Sequence, residues 1–345
     1  MVIPENFALS NSDLRILRKL EDFIPEKIFD MHAHLYDTAY LPNLARPGSI
    51  FAEGEAVADR AYYMRFQCPL YPGVRRLRLN LVSVPDRSYG ERGSGHRARC
   101  NEFLTKHLEE NPDDVGEAFV LPEDTDEDIA GLLTHPNIRG FKCYHVAAHR
   151  ENTWQAEICE FLPDSAWRAA NERGLCITLH MAKDRALADP GNLENIREKV
   201  KKYPSAKLIL AHAARGFAPW TVLEGVKRVT ENVYFDVSAV CEPTAIFAVI
   251  KAAGADHVLW GSDFPVSMMR GKCVSIADSF IWLYSSMLAK LEPDTEAQAN
   301  PGEANLVGVE NLSALAQACD MLDLSRGDIE NIFYHNGMRM FGLTD

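Results

Sequence analysis

Residues 27–34 read Lys-Ile-Phe-Asp-Met-His-Ala-His, a mostly apolar run that ends in two histidines separated by one residue. Side chains alternate between the two faces of a β-strand, so His32 and His34 would point to the same face. Neutral imidazole is a common ligand for zinc and similar metals. A His-x-His pair alone is frequent by chance, but its place at the end of a predicted strand indicates a metal site.

Three more residues that can bind metals follow apolar runs. His180 ends Leu-Cys-Ile-Thr-Leu-His, His212 ends Lys-Leu-Ile-Leu-Ala-His, and Asp263 follows Val-Leu-Trp-Gly-Ser. One histidine at a strand end is usually a structural residue, whereas two at the same relative place suggest a shared site. A carboxylate just past a buried strand needs compensation for its lost hydration, which a metal ion or a protonated base supplies.

Strand-like segments alternate with helical stretches along the chain. Strands are predicted at 27–34, 76–84, 117–121, 138–144, 175–180, 207–212, 233–237 and 257–262. Helices are predicted at 97–110, 164–173, 193–202 and 244–253. This alternation is typical of parallel β/α units, and eight units favour an α/β fold closed into a (β/α)8 TIM barrel. Because all strand ends meet at one mouth of such a barrel, the histidines and Asp263 can surround a single ion.

The whole chain, 1–345, is predicted to form one domain built on this barrel. Residues 1–26 precede the first strand. Residues 35–75 form an aromatic-rich insertion after it, which either covers the mouth as a lid or packs as an irregular loop. Residues 264–345 are predicted to form a helical C-terminal extension, with a polar break at 292–303.

Composition excludes some classes of partner. The chain has 49 acidic and 36 basic residues, a net charge of −13, which argues against nucleic acid or an anionic membrane surface. None of the eight cysteines forms a C-x-x-C pair, so we expect a reducing compartment. The N-terminus does not read as a leader, and no apolar run reaches membrane-spanning length. We therefore expect a cytoplasmic protein.

Two strings sharpen the ligand pattern into a resemblance. They are Trp260-Gly-Ser-Asp-Phe-Pro265 and Tyr334-His-Asn-Gly-Met-Arg-Met-Phe-Gly-Leu343. Together with His-x-His on strand one and the later histidines, they resemble the amidohydrolase superfamily, in its amidohydrolase-2 (amidohydrolase-related) branch. The resemblance covers residues 28–343 and implies a metal-dependent TIM-barrel enzyme.

The resemblance also implies roles for the candidate residues. His32, His34, His180 and Asp263 would hold a divalent metal ion, with zinc expected and manganese or iron as alternatives. His212 would polarise the substrate or stabilise an anionic intermediate. Asp263 would double as the general acid/base of the reaction.

Lys142 lies on strand four, in Arg-Gly-Phe-Lys-Cys-Tyr. Some members of the superfamily carry a carboxylated lysine at this place, where it bridges two metal ions. In the branch that this chain resembles, one ion is usual, and the lysine then faces the substrate. We favour one metal ion.

Positively charged residues that follow strand ends suggest an acidic small-molecule substrate. Arg215, Lys183 and Arg270 are such residues, and Lys142 is a fourth candidate for binding substrate. The guanidinium of Arg215 either clamps a substrate carboxylate or forms a salt bridge with a neighbouring loop.

We expect a metal-dependent hydrolase that uses metal-activated water on a carbonyl-containing substrate, which would be an acidic lactone, amide or ester. The alternative is a metal-dependent decarboxylase, a lyase, of an aromatic or unsaturated carboxylic acid. A sugar-acid isomerase and a non-catalytic barrel are weaker alternatives. Members of this branch are often dimers, so a homodimer is also expected.

Overall fold

Eight parallel strands form one sheet in which each strand pairs with the next along the chain. The computed structural model describes residues 8–41, 43–44, 55–90, 94–229, 232–288 and 304–344. The strands are β1 Lys27–His34, β2 Arg76–Val82, β3 Val115–Phe119, β4 Ile138–Cys143, β5 Cys176–Leu179, β6 Lys207–Leu210, β7 Val233–Asp236 and β8 Val258–Leu259. This nearly closed parallel sheet with surrounding helices confirms the predicted (β/α)8 barrel.

The barrel closes between β1 and the residues that follow the short β8. Met31 N donates to Trp260 O over 2.9 Å, and His34 N donates to Phe264 O over 2.9 Å. Gly261 permits this approach, because a Cβ atom added there would lie 2.8 Å from Cβ of His32. The backbone of the last unit therefore passes directly beside the His-x-His pair.

The helices surround the barrel and extend past it. They are α1 Asn11–Leu20, α2 Arg60–Phe66, α3 His96–Glu110, α4 Asp126–Leu132, α5 Asp164–Arg173, α6 Pro190–Lys202, α7 Pro219–Gly225, α8 Pro243–Ala253, α9 Val307–Met321, α10 Arg326–Glu330 and α11 Asn336–Phe341. A single turn, Ser285–Leu288, and a π-helical turn, Asn331–His335, complete the set. The four predicted helices match α3, α5, α6 and α8. No helix within the described ranges is long and apolar enough to cross a membrane.

The C-terminal extension contains a β-hairpin where the sequence predicted helices. Strands β9 Gly271–Ile276 and β10 Ser279–Tyr284 pair antiparallel. The aromatic residues of β10 recur with the strand period of two, and Phe280 and Trp282 both contact the ring of Phe217. The period-two alternation of these aromatic residues and their packing against Phe217 both favour a strand over a helix. The polar break at 292–303 lies outside the described residues.

The described part of the insertion packs against the barrel. Tyr36–Asp37 pairs with Val57–Ala58, and Tyr63 of α2 is buried, where its hydroxyl donates to Asp30 Oδ2 over 2.5 Å. These contacts agree with the packing interpretation of the aromatic residues. Residues 45–54 lie outside the described ranges, and a lid formed by them stays a prediction.

Asp13 joins α1 to the C-terminal part of the chain. Its buried carboxylate accepts hydrogen bonds from Ser10 N and Arg270 Nη1 at 2.9 Å each, and from Leu306 N at 3.0 Å. Arg270 also donates to the carbonyl oxygens of Ala8 and Ala304. The N-terminal helix is therefore fastened by one buried ionic contact.

We predict that Asp13→Ala lowers the free energy of unfolding by about 3 kcal/mol, because it removes the buried carboxylate that is paired with the largely buried Arg270. Asp22→Ala is the matched control, since Asp22 is exposed and a surface substitution changes stability by about 0.5 kcal/mol or less. Urea denaturation of both variants measures the difference. Equal stability of the two variants would show that the Asp13 contact contributes little.

Candidate metal centre and active site

Three of the predicted functional residues converge at the carboxyl ends of the strands. One donor atom each from His32, His212 and Asp263 lies within 4.8 Å of the other two, and all three residues are buried. They come from β1 and from the turns after β6 and β8, which are distant in sequence. The barrel thus gathers two imidazoles and one carboxylate into one group.

His32 is oriented by the carboxylate at the end of β7. Its Nδ1 lies 3.1 Å from Asp236 Oδ2, and its Nε2 lies 3.6 Å from Asp263 Oδ1. Burial, followed by the charge of Lys142, lowers the pKa of His32 to about 4, against the opposing effect of Asp236. His32 is therefore neutral at pH 7, which is the form that binds metal ions.

His34 and Asp263 are in direct contact. His34 Nε2 lies 3.0 Å from Asp263 Oδ1, while its Nδ1 lies 3.3 Å from the carbonyl oxygen of Val82. Burial by itself would raise the pKa of Asp263, but the charge of His212 and the hydrogen bond of His34 outweigh burial and bring this pKa to about 2. Asp263 is accordingly an ionised carboxylate that can bind a metal ion or accept a proton.

His212 lies in a turn of unusual backbone conformation. Residues 212–215 all have positive φ angles, between 54° and 60°, a region that costs energy for residues other than glycine. His212 Nδ1 lies 3.0 Å from the carbonyl oxygen of Ser238 and 2.9 Å from its hydroxyl. Such strain concentrates at functional sites, and here it turns His212 and Arg215 towards the mouth-side loops.

Asp236 and Ser238, at the end of β7, contact both His32 and His212 through hydrogen bonds. Asp236 Oδ1 accepts hydrogen bonds from His212 N at 3.3 Å and Ser238 N at 3.0 Å, and also from the Ser238 hydroxyl. From the sequence, both residues are expected at the end of strand seven and facing the mouth, but without an orienting role. The available signal was the Asp-x-Ser pattern at a strand end, where period-two alternation places both side chains on the face of the site.

His180 lies beside this group rather than in it. Its ring centroid is 5.3 Å from that of His212, and its buried Nδ1 has no hydrogen-bond partner among the described residues. Burial, and then the neighbouring His212 and His145, hold the pKa of His180 well below its usual range. A buried ring nitrogen without a partner is uncommon and fits a site that is completed by a bound ligand.

The donor set fits a divalent metal ion. All candidate donors are imidazole nitrogens or a carboxylate oxygen, which suit zinc, manganese and iron. In the predicted set, His32 and His34 both lie next to Asp263, and His180 lies next to His212.

Lys142 is fully buried in the barrel interior next to the candidate centre. Its Nζ lies 3.3 Å from His32 Nε2. Burial lowers the pKa of Lys142, and the charge of Glu117 opposes this effect. Glu117 accepts hydrogen bonds from Asn80 Nδ2 at 2.6 Å and Thr178 Oγ1 at 2.7 Å. Carboxylation of Lys142 and its contact with substrate both stay predictions.

Arg215 faces the mouth but is held by its neighbours. Its guanidinium carbon lies 4.5 Å from the ring centroid of Trp154 and 5.3 Å from that of Phe280, and Nη1 donates to the carbonyl oxygen of Lys183 over 2.8 Å. The sequence left two interpretations of Arg215 open, a clamp on a substrate carboxylate and a salt bridge with a neighbouring loop. In the described part of the chain, no carboxylate lies within 4.0 Å of its guanidinium. Its role in binding substrate stays a prediction.

The structure gives two of the other predicted substrate residues structural partners. Lys183 Nζ lies 2.6 Å from Glu157 and 3.0 Å from Asp189, while Arg270 is paired with Asp13. The expected contacts of Lys183 and Arg270 with substrate have no support in these arrangements. The positions of Lys183 and Arg270 in the sequence do not show that carboxylates from other parts of the chain already neutralise their charges.

A cavity of about 460 Å³ opens beside His180. Its walls include Tyr144, His145, Trp154 and Arg87, which come from the loops after β2 and β4. The sequence analysis did not select Arg87 or His145, although each follows a predicted strand closely. The cavity has a suitable size for a small molecule.

Comparisons with known proteins agree with this arrangement. The family model described as amidohydrolase matches residues 29–343. The L-fucono-1,5-lactonase of Burkholderia ambifaria is 24% identical over 211 residues, which cover 55% of this chain and 68% of that protein.

Solved structures share the fold at low sequence identity. A 5-carboxyvanillate decarboxylase from Novosphingobium aromaticivorans, in complex with manganese and 4-hydroxy-3-methoxy-5-nitrobenzoic acid, has a TM-score of 0.56 and 15% identity, covering 92% of this chain and 96% of its own. A probable 2-pyrone-4,6-dicarboxylic acid hydrolase from Acinetobacter baumannii has a TM-score of 0.53 and 14% identity, covering 92% of this chain and 100% of its own.

We predict that Asp236→Asn weakens metal binding about 10- to 100-fold, because a carboxylate behind a ligand histidine fixes its tautomer and orientation. Competition with a chromogenic chelator measures the affinity without any substrate. Asp256→Asn is the control, since Asp256 is an exposed carboxylate paired with Arg339. Unchanged affinity in Asp236→Asn would exclude this orienting role.

Proposed function

Because the chain belongs to the amidohydrolase family, we propose that it is a metal-dependent hydrolase of a small acidic molecule, with a lactone, amide or ester as the reacting group. The observation that carries this proposal is the buried group of His32, His212 and Asp263, whose donor atoms lie within 4.8 Å of one another. The family is metal-dependent, and His32 and Asp263 of this group are candidate ligands, but the group leaves the metal's identity open. We expect zinc, with manganese or iron as alternatives.

His32, His34, His180 and Asp263 would hold the ion, and His212 would lie beside it. A divalent ion held there polarises a carbonyl oxygen and lowers the pKa of a bound water to about 7. The nitrogen of His180 without a hydrogen-bond partner and the close contact of His34 with Asp263 both support this assignment.

Asp263 is suited to moving the proton. Its low pKa keeps it ionised at neutral pH, so it can accept a proton from the attacking water and deliver it to the leaving oxygen or nitrogen. His212 would donate a hydrogen bond through Nε2 to the substrate oxygen that gains negative charge, while its Nδ1 lies 3.0 Å from the carbonyl oxygen of Ser238 and 2.9 Å from its hydroxyl. The protein thus places a base and a hydrogen-bond donor on the same carbonyl group.

The second candidate is decarboxylation of an aromatic or unsaturated acid. The cavity beside His180 favours it, because its walls include the rings of Tyr144, His145 and Trp154, which suit a flat substrate. Assays separate the two reactions directly, since hydrolysis of a lactone or ester releases an acid and no carbon dioxide. Homodimer formation and a cytoplasmic location also stay predictions, and light scattering measures the former.

We predict that His180→Ala and Asp263→Asn each reduce turnover at least about 1,000-fold while the circular dichroism spectrum is retained. Lactones, pyrone carboxylates and aromatic acids form the assay panel, read by proton release and carbon dioxide release. His257→Ala is the control, because His257 lies at the opposite end of β8. Substantial activity in either active-site variant would contradict the assigned roles.

We predict about one equivalent of metal per chain, because Lys142, which lies 3.3 Å from His32 Nε2, supplies no carboxylate to bridge a second ion unless it is carboxylated. Elemental analysis of the purified protein measures the ratio, and removal by a chelator should abolish turnover until metal is returned. About two equivalents per chain would instead support a carboxylated Lys142 between two ions.

A further inference from the structure

Arg87 is the Arg or Lys residue that lines the cavity beside His180 in the described part of the chain. It begins the turn Arg87–Gly90 after β2 and is exposed. No hydrogen bond or ion pair of its guanidinium is recorded with the described residues. The neighbouring Asp86 also lines the cavity; its Oδ1 accepts hydrogen bonds from Asn43 Nδ2 and Ser88 N at 2.8 Å each, while its buried Oδ2 has no hydrogen-bond partner among the described residues.

Aromatic rings line the cavity together with Arg87 and His180. The ring centroids of His145 and Trp154 are 4.0 Å apart, and that of Tyr144 is 5.2 Å from His180. The ring of Trp154 is also 6.2 Å from that of His180. A ligand in this cavity would therefore meet flat ring surfaces close to His180.

Two arginine charges act on His145 in the wall of the cavity. Burial, then the charge of Arg215 and, to a smaller extent, that of Arg87 lower the pKa of His145 to about 4. His145 is thus neutral at pH 7, and its Nδ1 is within 3.1 Å of the Thr153 hydroxyl. Neither arginine is neutralised by a recorded ion pair, so an anionic group is favoured here.

We propose that Arg87 determines specificity by binding a carboxylate of the substrate that lies away from the reacting bond, while the flat ring of the substrate packs against Tyr144 and Trp154. The ligand class is a planar, unsaturated ring acid with one acidic group remote from the metal end. This inference rests on the proposed function only in taking the His180 end of the cavity as the place of reaction.

The chemistry of the guanidinium supports this assignment. Arginine binds carboxylates through two parallel hydrogen bonds, and such charge-assisted contacts are stronger than neutral ones. The cations that the sequence placed at the mouth are held by other groups, with Lys183 and Arg270 in ion pairs and Arg215 between two rings. Among the described residues that line this cavity, Arg87 is the cation in position to pair with an external anion.

The test compares isophthalate, which carries two carboxylates on one ring, with benzoate, which carries one. Isothermal titration of the metal-loaded protein gives both dissociation constants without turnover. We expect isophthalate to bind about tenfold more tightly than benzoate, and Arg87→Ala to reduce this ratio to near one by weakening isophthalate alone. Arg75→Ala, which changes an exposed arginine at the start of β2, should leave the ratio unchanged.

Three results would overturn the inference: no preference for isophthalate in the unaltered protein, no binding of isophthalate, or a preference that persists in Arg87→Ala. The outcome is separate from that of the proposed function. If the protein shows no turnover but Arg87→Ala still abolishes the preference for isophthalate, the hydrolase proposal is refuted and the Arg87 site is retained. If the protein turns over substrate but Arg87→Ala keeps the preference, only the Arg87 site is refuted.

Discussion

The structure depends on the main-chain pairing between the first strand and the segment that follows the last. Asp263 N donates to His32 O over 2.7 Å, and His34 N donates to Phe264 O. These bonds set the carboxylate of Asp263 against the two imidazoles of the His-x-His pair, and Gly261 leaves the room that the approach needs. Closing the barrel and assembling the candidate metal centre are therefore the same event.

The interior of the site contains charges that compensate one another away from water. Asp236, Asp263, Glu117 and Lys142 are all buried. A buried charge without partners would cost several kcal/mol. The imidazoles and hydrogen bonds around Asp263 outweigh this cost, because the pKa of Asp263 is about 2. At Glu117, in contrast, burial raises the pKa of the carboxyl group. Asp263 thus stays ionised, while Glu117 accepts hydrogen bonds from Asn80 and Thr178.

The mouth is built from loops that hold one another in place. Arg215 lies between Trp154 and Phe280, so it joins the loops after β4 and β6 to the β9–β10 hairpin. Lys183 fastens its loop through Glu157 and Asp189. Arg215 and Lys183 thus hold the loops at the mouth in place, whereas Arg87 lines the cavity.

The sequence by itself determined the alternation of strands and helices, the barrel and the strand-end positions of His32, His34, His180, His212 and Asp263, because these follow from local periodicity and from the order of the units. It missed the hairpin at 271–284, and it could not show the orienting role of Asp236 or which arginine faces the cavity. The hairpin and these side-chain contacts depend on residues that are distant in sequence, such as Asp13 for Arg270 and Phe217 for Phe280. Only the tertiary structure decides such pairings, because the charge and shape that surround a side chain are set by residues that folding brings together.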